Sequence, residues 1–136
     1  MCLSISILDE NPLIAQEDIP CYKIVRYVGK GDKIIFYTFF QLYTVKLGLT
    51  YHSNLRRYRY GYSRLNDVIE EGLHSFSSRW DCIKFVLINP DLLFRRIKIV
   101  KCVIPTYSQY YVGKFQGIKG YASDTLTYNK IQSVIN

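Results

Sequence analysis

The densest run of chemically capable side chains is Arg56-Arg57-Tyr58-Arg59-Tyr60-Gly61-Tyr62-Ser63-Arg64. A guanidinium grips phosphate with a two-pronged fork, and a tyrosine ring offers a face on which a base stacks. Arginines interleaved with tyrosines therefore point to a phosphate-bearing ligand. A strand through the run would set Arg57 and Arg59 on the face opposite Tyr58, Tyr60 and Tyr62. The plain alternative is a solvated loop whose tyrosines pack inward and whose arginines face water.

A second run, Glu70-Glu71-Gly72-Leu73-His74-Ser75-Phe76-Ser77-Ser78, joins one of only two histidines to two carboxylates and three hydroxyls. Histidine beside glutamate makes a general base, and histidine beside serine an activated nucleophile. Successive strand side chains point apart, however, and a turn into a helix capped by serine accounts for the same residues. The set also resembles the ADP-ribosyltransferase fold, with His52 as its first element, Ser75 and Ser77 as the serine strand and Glu70 or Glu71 as the glutamate. That resemblance implies transfer chemistry on nicotinamide dinucleotide.

The remaining named signatures are missing. The sequence holds no Walker loop, G-x-G-x-x-G, G-x-S-x-G or H-E-x-x-H. His52 and His74 lie far apart with no acidic ligand pattern between them, and Cys2, Cys21, Cys82 and Cys102 form no C-x-x-C pair. Neither a metal nor a cofactor is expected, and the cysteines read as free thiols in a reducing compartment.

These residues need a scaffold, and composition bounds it. The chain has 136 residues, with 49% hydrophobic and 21% charged, a balance that suits one globular domain and excludes disorder. Thirteen tyrosines against one tryptophan favour pleated, half-exposed surfaces. A formal charge of +7 favours anionic partners without choosing among them. The N-terminus lacks the basic and apolar regions of a signal peptide, and no apolar stretch approaches the ~20 residues of a span. A cytoplasmic protein with no membrane partner is expected.

Along the chain, residues 1–20 read as an irregular lead-in. Cys21–Val28 and Lys33–Phe40 read as a hairpin around Gly29-Lys30-Gly31-Asp32, and Gln41–Tyr51 as a third strand or an extension. Ser53–Tyr62 is expected as an exposed loop or ribbon, and Asp67–Gly72 as a short helical turn. Ser77 or Ser78 caps a helix to about Ile88 that would bury Trp80, Ile83 and Leu87, with Phe85 and Val86 widening the stripe. Arg95–Ile104 alternates cleanly as a strand, followed by strands at Gln109–Phe115 and Leu126–Tyr128.

Two further stretches carry a resemblance. Ile104-Pro105-Thr106-Tyr107-Ser108-Gln109-Tyr110-Tyr111-Val112-Gly113 and Tyr121-Ala122-Ser123-Asp124 follow Glu70–Phe76 and Cys21–Arg26 upstream. Together they resemble small uncharacterised proteins of gut Bacteroidota and their phages. The resemblance implies an accessory protein of a phage or mobile element that meets a host factor or a nucleotide signal, and it assigns no catalytic residues.

The fold expected from all this is α+β: a twisted, mostly antiparallel sheet of about five or six strands with one main helix, in a single domain. The expected function is non-enzymatic binding of a nucleotide signal or nucleic acid. The expected ligand-binding residues are Arg56, Arg57, Tyr58, Arg59, Tyr60, Arg64, His74, Tyr110 and Tyr111. The transferase, and a protein inhibitor that meets an acidic host protein, are the alternatives.

Overall fold

The computed structural model describes residues 3–6, 11–38, 43–58 and 66–134. These residues hold thirteen strands: β1 (Leu3–Ser6), β2 (Leu13–Ile14), β3 (Ile19–Val28), β4 (Ile35–Thr38), β5 (Thr44–Val45), β6 (Thr50–His52), β7 (Arg56–Tyr58), β8 (Asn66–Glu71), β9 (Leu73–Phe76), β10 (Ile97–Ile104), β11 (Gln109–Phe115), β12 (Ile118–Ser123) and β13 (Thr125–Val134). One helix, α1 (Arg79–Ile88), joins β9 to β10 through a 3-10 turn at Pro90–Phe94.

All the strands belong to one antiparallel sheet, ordered β6-β13-β10-β3-β9-β12-β11-β1-β8-β7, with β2, β4 and β5 paired off this path. The expected sheet of five or six strands with a main helix is therefore wrong. The sheet dominates, and the helix is a ten-residue cover on it. The error has a physical source. Strands of two or three residues, such as β2, β5, β6 and β7, are too short for alternation to register in sequence, and distant partners hold β2 and β6.

Asp67–Gly72 corrects a second expectation. Asp67–Glu71 is strand and Gly72 a bend, not a helical turn, because β8 pairs with β1 on one side and β7 on the other. Part of the expected exposed ribbon at Ser53–Tyr62 is likewise paired, as β7. The hairpin of β3 and β4 lies where the glycine turn put it, with Val28 opposite Ile35.

The two ends of the strand order, β6 and β7, are neighbours in the chain. Only Ser53, Asn54 and Leu55 separate them, a link that spans at most ~14 Å. A sheet whose opposite edges are so joined must curl, and it forms a half-barrel.

The middle of the sheet is buried on both faces. Ile24, Ile97 and Ile99 join Leu3, Ile69, Phe76 and Phe115 in a core covered by α1. Cys21, Val25, Val100, Cys102 and Ile104 point the other way, into a second core with Leu126 and Tyr128. The clean alternation of β10 thus serves two interiors, one from each set of side chains.

α1 begins at Ser78, whose hydroxyl accepts the Asp81 backbone N–H at 3.0 Å, and it ends before Pro90. Its buried side is Cys82, Phe85 and Val86. Trp80 and Leu87, expected inward, are 68% and 65% exposed, and Ile83 is partly buried. The helix is apolar on two sides, so its periodicity fits two stripes and does not say which one packs.

Candidate functional site

β3 and β9 touch at a single register pair, Tyr22 opposite Phe76, and then part. A cavity of about 1200 Å³ opens at this seam. Its volume is somewhat above the roughly 300–1,000 Å³ of most small-molecule sites. Phe76, Phe85, Leu92 and Phe115 line it from the first core, and Val45, Tyr51 and Tyr128 from the second. Exposed polar groups also line it: His52 from β6, Asn54 from the β6–β7 link, Arg56 from β7 and Glu70 from β8.

Lys23 lies on the wall where the strands part. In β3 it falls between Cys21 and Val25, two residues of the second core. Its Nζ donates to the His74 carbonyl across the seam at 2.7 Å. No carboxylate lies within ion-pairing distance of Lys23 among the described residues. Burial pulls the Lys23 pKa down, and the nearby Cys102 and Cys21 thiols oppose that only in part. Burial in turn pushes the Cys21 thiol up to about 11, with Cys102 also raised well above its ordinary value, so neither thiol supplies a ready anion.

His74 and Ser75 follow on β9. The His74 ring packs edge-on against Phe115, with centroids 5.4 Å apart, and its Nε2 is buried without a hydrogen-bond partner. Burial first, and the Lys23 charge second, hold its pKa down to about 4, so the ring is neutral near pH 7. The buried Ser75 hydroxyl also lacks a hydrogen-bond partner. It lies near enough to the Cys21 thiol to offset a little of that thiol's rise, without hydrogen-bonding geometry. Buried polar atoms are normally satisfied, so two orphans beside an unpaired ammonium mark the wall as polar by design of the fold.

The structure scatters the residues expected to bind ligand. Arg56 and His74 line the cavity. Arg56 is held there by Glu70 at 3.4 Å and Glu71 at 3.7 Å. Arg57 turns inward, with its side chain 8% exposed, and meets Asp67 at 2.6 Å and 2.7 Å. Removing one partner of such a buried pair costs about 3–5 kcal/mol, so Arg57 serves the sheet. Tyr58 is half-exposed outside the cavity. Tyr110 and Tyr111 belong to opposite cores and do not reach it. Arg59, Tyr60 and Arg64 lie outside the described residues.

The transferase set is partly assembled. His52, Ser75, Glu70 and Glu71 all line the cavity. Ser77 does not, because its hydroxyl donates to Asp81 at the start of α1.

Lys23 escaped the sequence reading, although one signal was present: it is the lone charge on the inward set Cys21, Lys23, Val25. The described residues contain no group of three or more metal-ligating side chains. No helix among them is long and apolar enough to cross a membrane. Comparison with protein-family models, curated proteins and solved structures finds no match to this chain.

Proposed function

We propose that the cavity binds a small anionic molecule, a phosphate-bearing one of nucleotide size, and that Lys23 recognises its charge. The observation that carries this reading is the Lys23 ammonium itself. Lys23 lines the cavity, and its ammonium holds one carbonyl and has no counter-ion among the described residues. A charge taken from water is costly unless it is paired, and a bound anion would pair it and raise its pKa again.

The neighbours suit the same ligand. The rings of Phe76, Phe115 and Tyr51 line the cavity and give an aromatic base apolar surface to pack on. A concave site of this volume favours a single nucleotide signal over a nucleic-acid strand. A nucleotide signal is also among the partners that the resemblance to small uncharacterised proteins of gut Bacteroidota and their phages implies.

Equilibrium binding of a fluorescent cyclic dinucleotide, and of labelled single-stranded DNA, tests the reading at low and high salt. The dinucleotide should bind at low salt, bind less well at high salt, and lose roughly tenfold or more in Lys23→Met. No binding of either probe at low salt, or unchanged affinity in a folded Lys23→Met, overturns it.

The transferase reading is favoured by one observation, the meeting of His52, Ser75, Glu70 and Glu71 at this cavity. Against it, both glutamates already pair with Arg56. Label passing from NAD to protein, and lost in Glu71→Gln, would replace binding by transfer as the function.

A further inference from the structure

A different surface is left unexplained by the fold and by the cavity. On the outer side of α1, Trp80 is 68%, Leu87 65% and Ile88 52% exposed. The 3-10 turn that follows adds Leu93 at 48% and Phe94 at 92%. At roughly 100° per residue, Trp80 and Leu87 stand about 20° apart on the helix, opposite the buried set of Cys82, Phe85 and Val86. None of the five lines the cavity. Phe94 gains almost nothing from the folded chain where it is, and apolar side chains gathered like this mark an interaction surface.

The charges around them have one sign in excess. Lys84 falls about 40° from Trp80 on the same outer face. Arg79 opens the helix and Arg95 follows Phe94 directly, and both are exposed like Lys84; Arg96 is exposed too, but its guanidinium donates to the Gly29 carbonyl at 3.2 Å and lies over the Tyr27 ring. Asp81 is largely covered, with 13% side-chain exposure, and engages Ser77, Ser78 and Lys84. Asp91 is the one exposed carboxylate between residues 79 and 96.

We propose that this face docks on an anionic lipid surface. Tryptophan, phenylalanine and leucine side chains set among lysine and arginine are what an interfacial helix uses: the apolar groups enter the headgroup layer and the cations meet lipid phosphates. Two other occupants fit less well. A second copy meeting this face would bring Lys84 and Arg79 against their own kind, with Asp91 the one exposed carboxylate between residues 79 and 96 to offset them. A protein partner would need a separate pocket for each protruding ring, whereas a bilayer accepts Phe94 and Trp80 without one. The lack of a spanning helix concerns crossing, and a surface contact requires none.

Trp80 is the only tryptophan in the chain, so intrinsic fluorescence reports on this face alone. The full chain is titrated with vesicles of phosphatidylcholine and with vesicles of phosphatidylcholine mixed with phosphatidylserine, and co-sedimentation is measured alongside. Emission should shift to the blue, and protein should sediment, only with the phosphatidylserine vesicles and less at high salt. Lys84→Gln and Arg95→Gln should each weaken partitioning about fivefold. Phe94→Ser should weaken it while leaving the salt dependence in place; its side chain is too exposed for folding to depend on it. Emission that stays water-like on phosphatidylserine vesicles overturns the proposal. So does an equal shift on phosphatidylcholine alone, or a shift that grows with protein concentration in the absence of lipid, which would assign the face to a second copy.

Discussion

Lys23 and His74 show how burial changes what a common side chain does. Both sit on strands at the seam, and both are held away from their charged forms. For His74 this has a consequence for stability. Its pKa is about 4 in the folded chain and near the ordinary 6.5 when unfolded. As pH falls below about 6.5 the unfolded chain takes up a proton that the folded chain refuses, so stability falls from there down to about pH 4. The contribution is complete above about 6.5 and is worth about 3 kcal/mol at full extent. Urea midpoints at about pH 7 and about pH 5 should therefore differ, and the difference should shrink in His74→Gln. An equal pH dependence in that variant would show that other groups cause it. At this scale the sequence drew attention to arginines, and Arg56 does reach the cavity. It passed over Lys23 because a lysine in an alternating strand normally marks the solvent face; only the second core, formed by distant strands, turns that face inward.

Among the elements, the β11–β12 hairpin shows how closely the layers fit. Gly113 and Gly120 face each other across it. A methyl group on Gly113 would collide with the Ser4 backbone carbonyl of β1, and one on Gly120 with the Phe115 ring. β1 pairs with β11 beside this point, at Ser4 and Lys114, so Gly113→Ala must push the two strands apart. The expected loss is about 1–3 kcal/mol, read as a lower denaturant midpoint with the same far-UV spectrum. A midpoint within error of the parent would mean that β1 can shift freely. The sequence announced β11, the helix and β10 clearly, because Ser78, Pro90 and the alternation of β10 act over a few residues, but it did not foresee β12 or this hairpin. It misplaced β8 and the packed face of α1. Strand formation at Asp67–Glu71 depends on β1 and β7, and a helix apolar on both sides needs a neighbour to choose its inner face.

In the whole molecule, the two cores share β3 and β10 as a common wall. Neither interior can open without exposing the other, so unfolding should be a single transition. Pulsed alkylation along a denaturant series checks this, because Cys82 reports the first core and Cys102 the second. Both thiols should become reactive at the same midpoint; Cys102 labelled while Cys82 stays protected would make them separate units. The amino-acid sequence by itself determined a basic, tyrosine-rich chain rich in strands, with its helix cap, its glycine turn and its most regular strand, since each follows from composition or from contacts within a few residues. Only the tertiary structure decided that thirteen strands curl until β6 and β7 are joined by three residues, and that the seam between β3 and β9 stays open. Those features depend on pairings between residues far apart in the chain. The same pairings move the site from the arginine run, where local chemistry pointed, to a lysine on an inner wall.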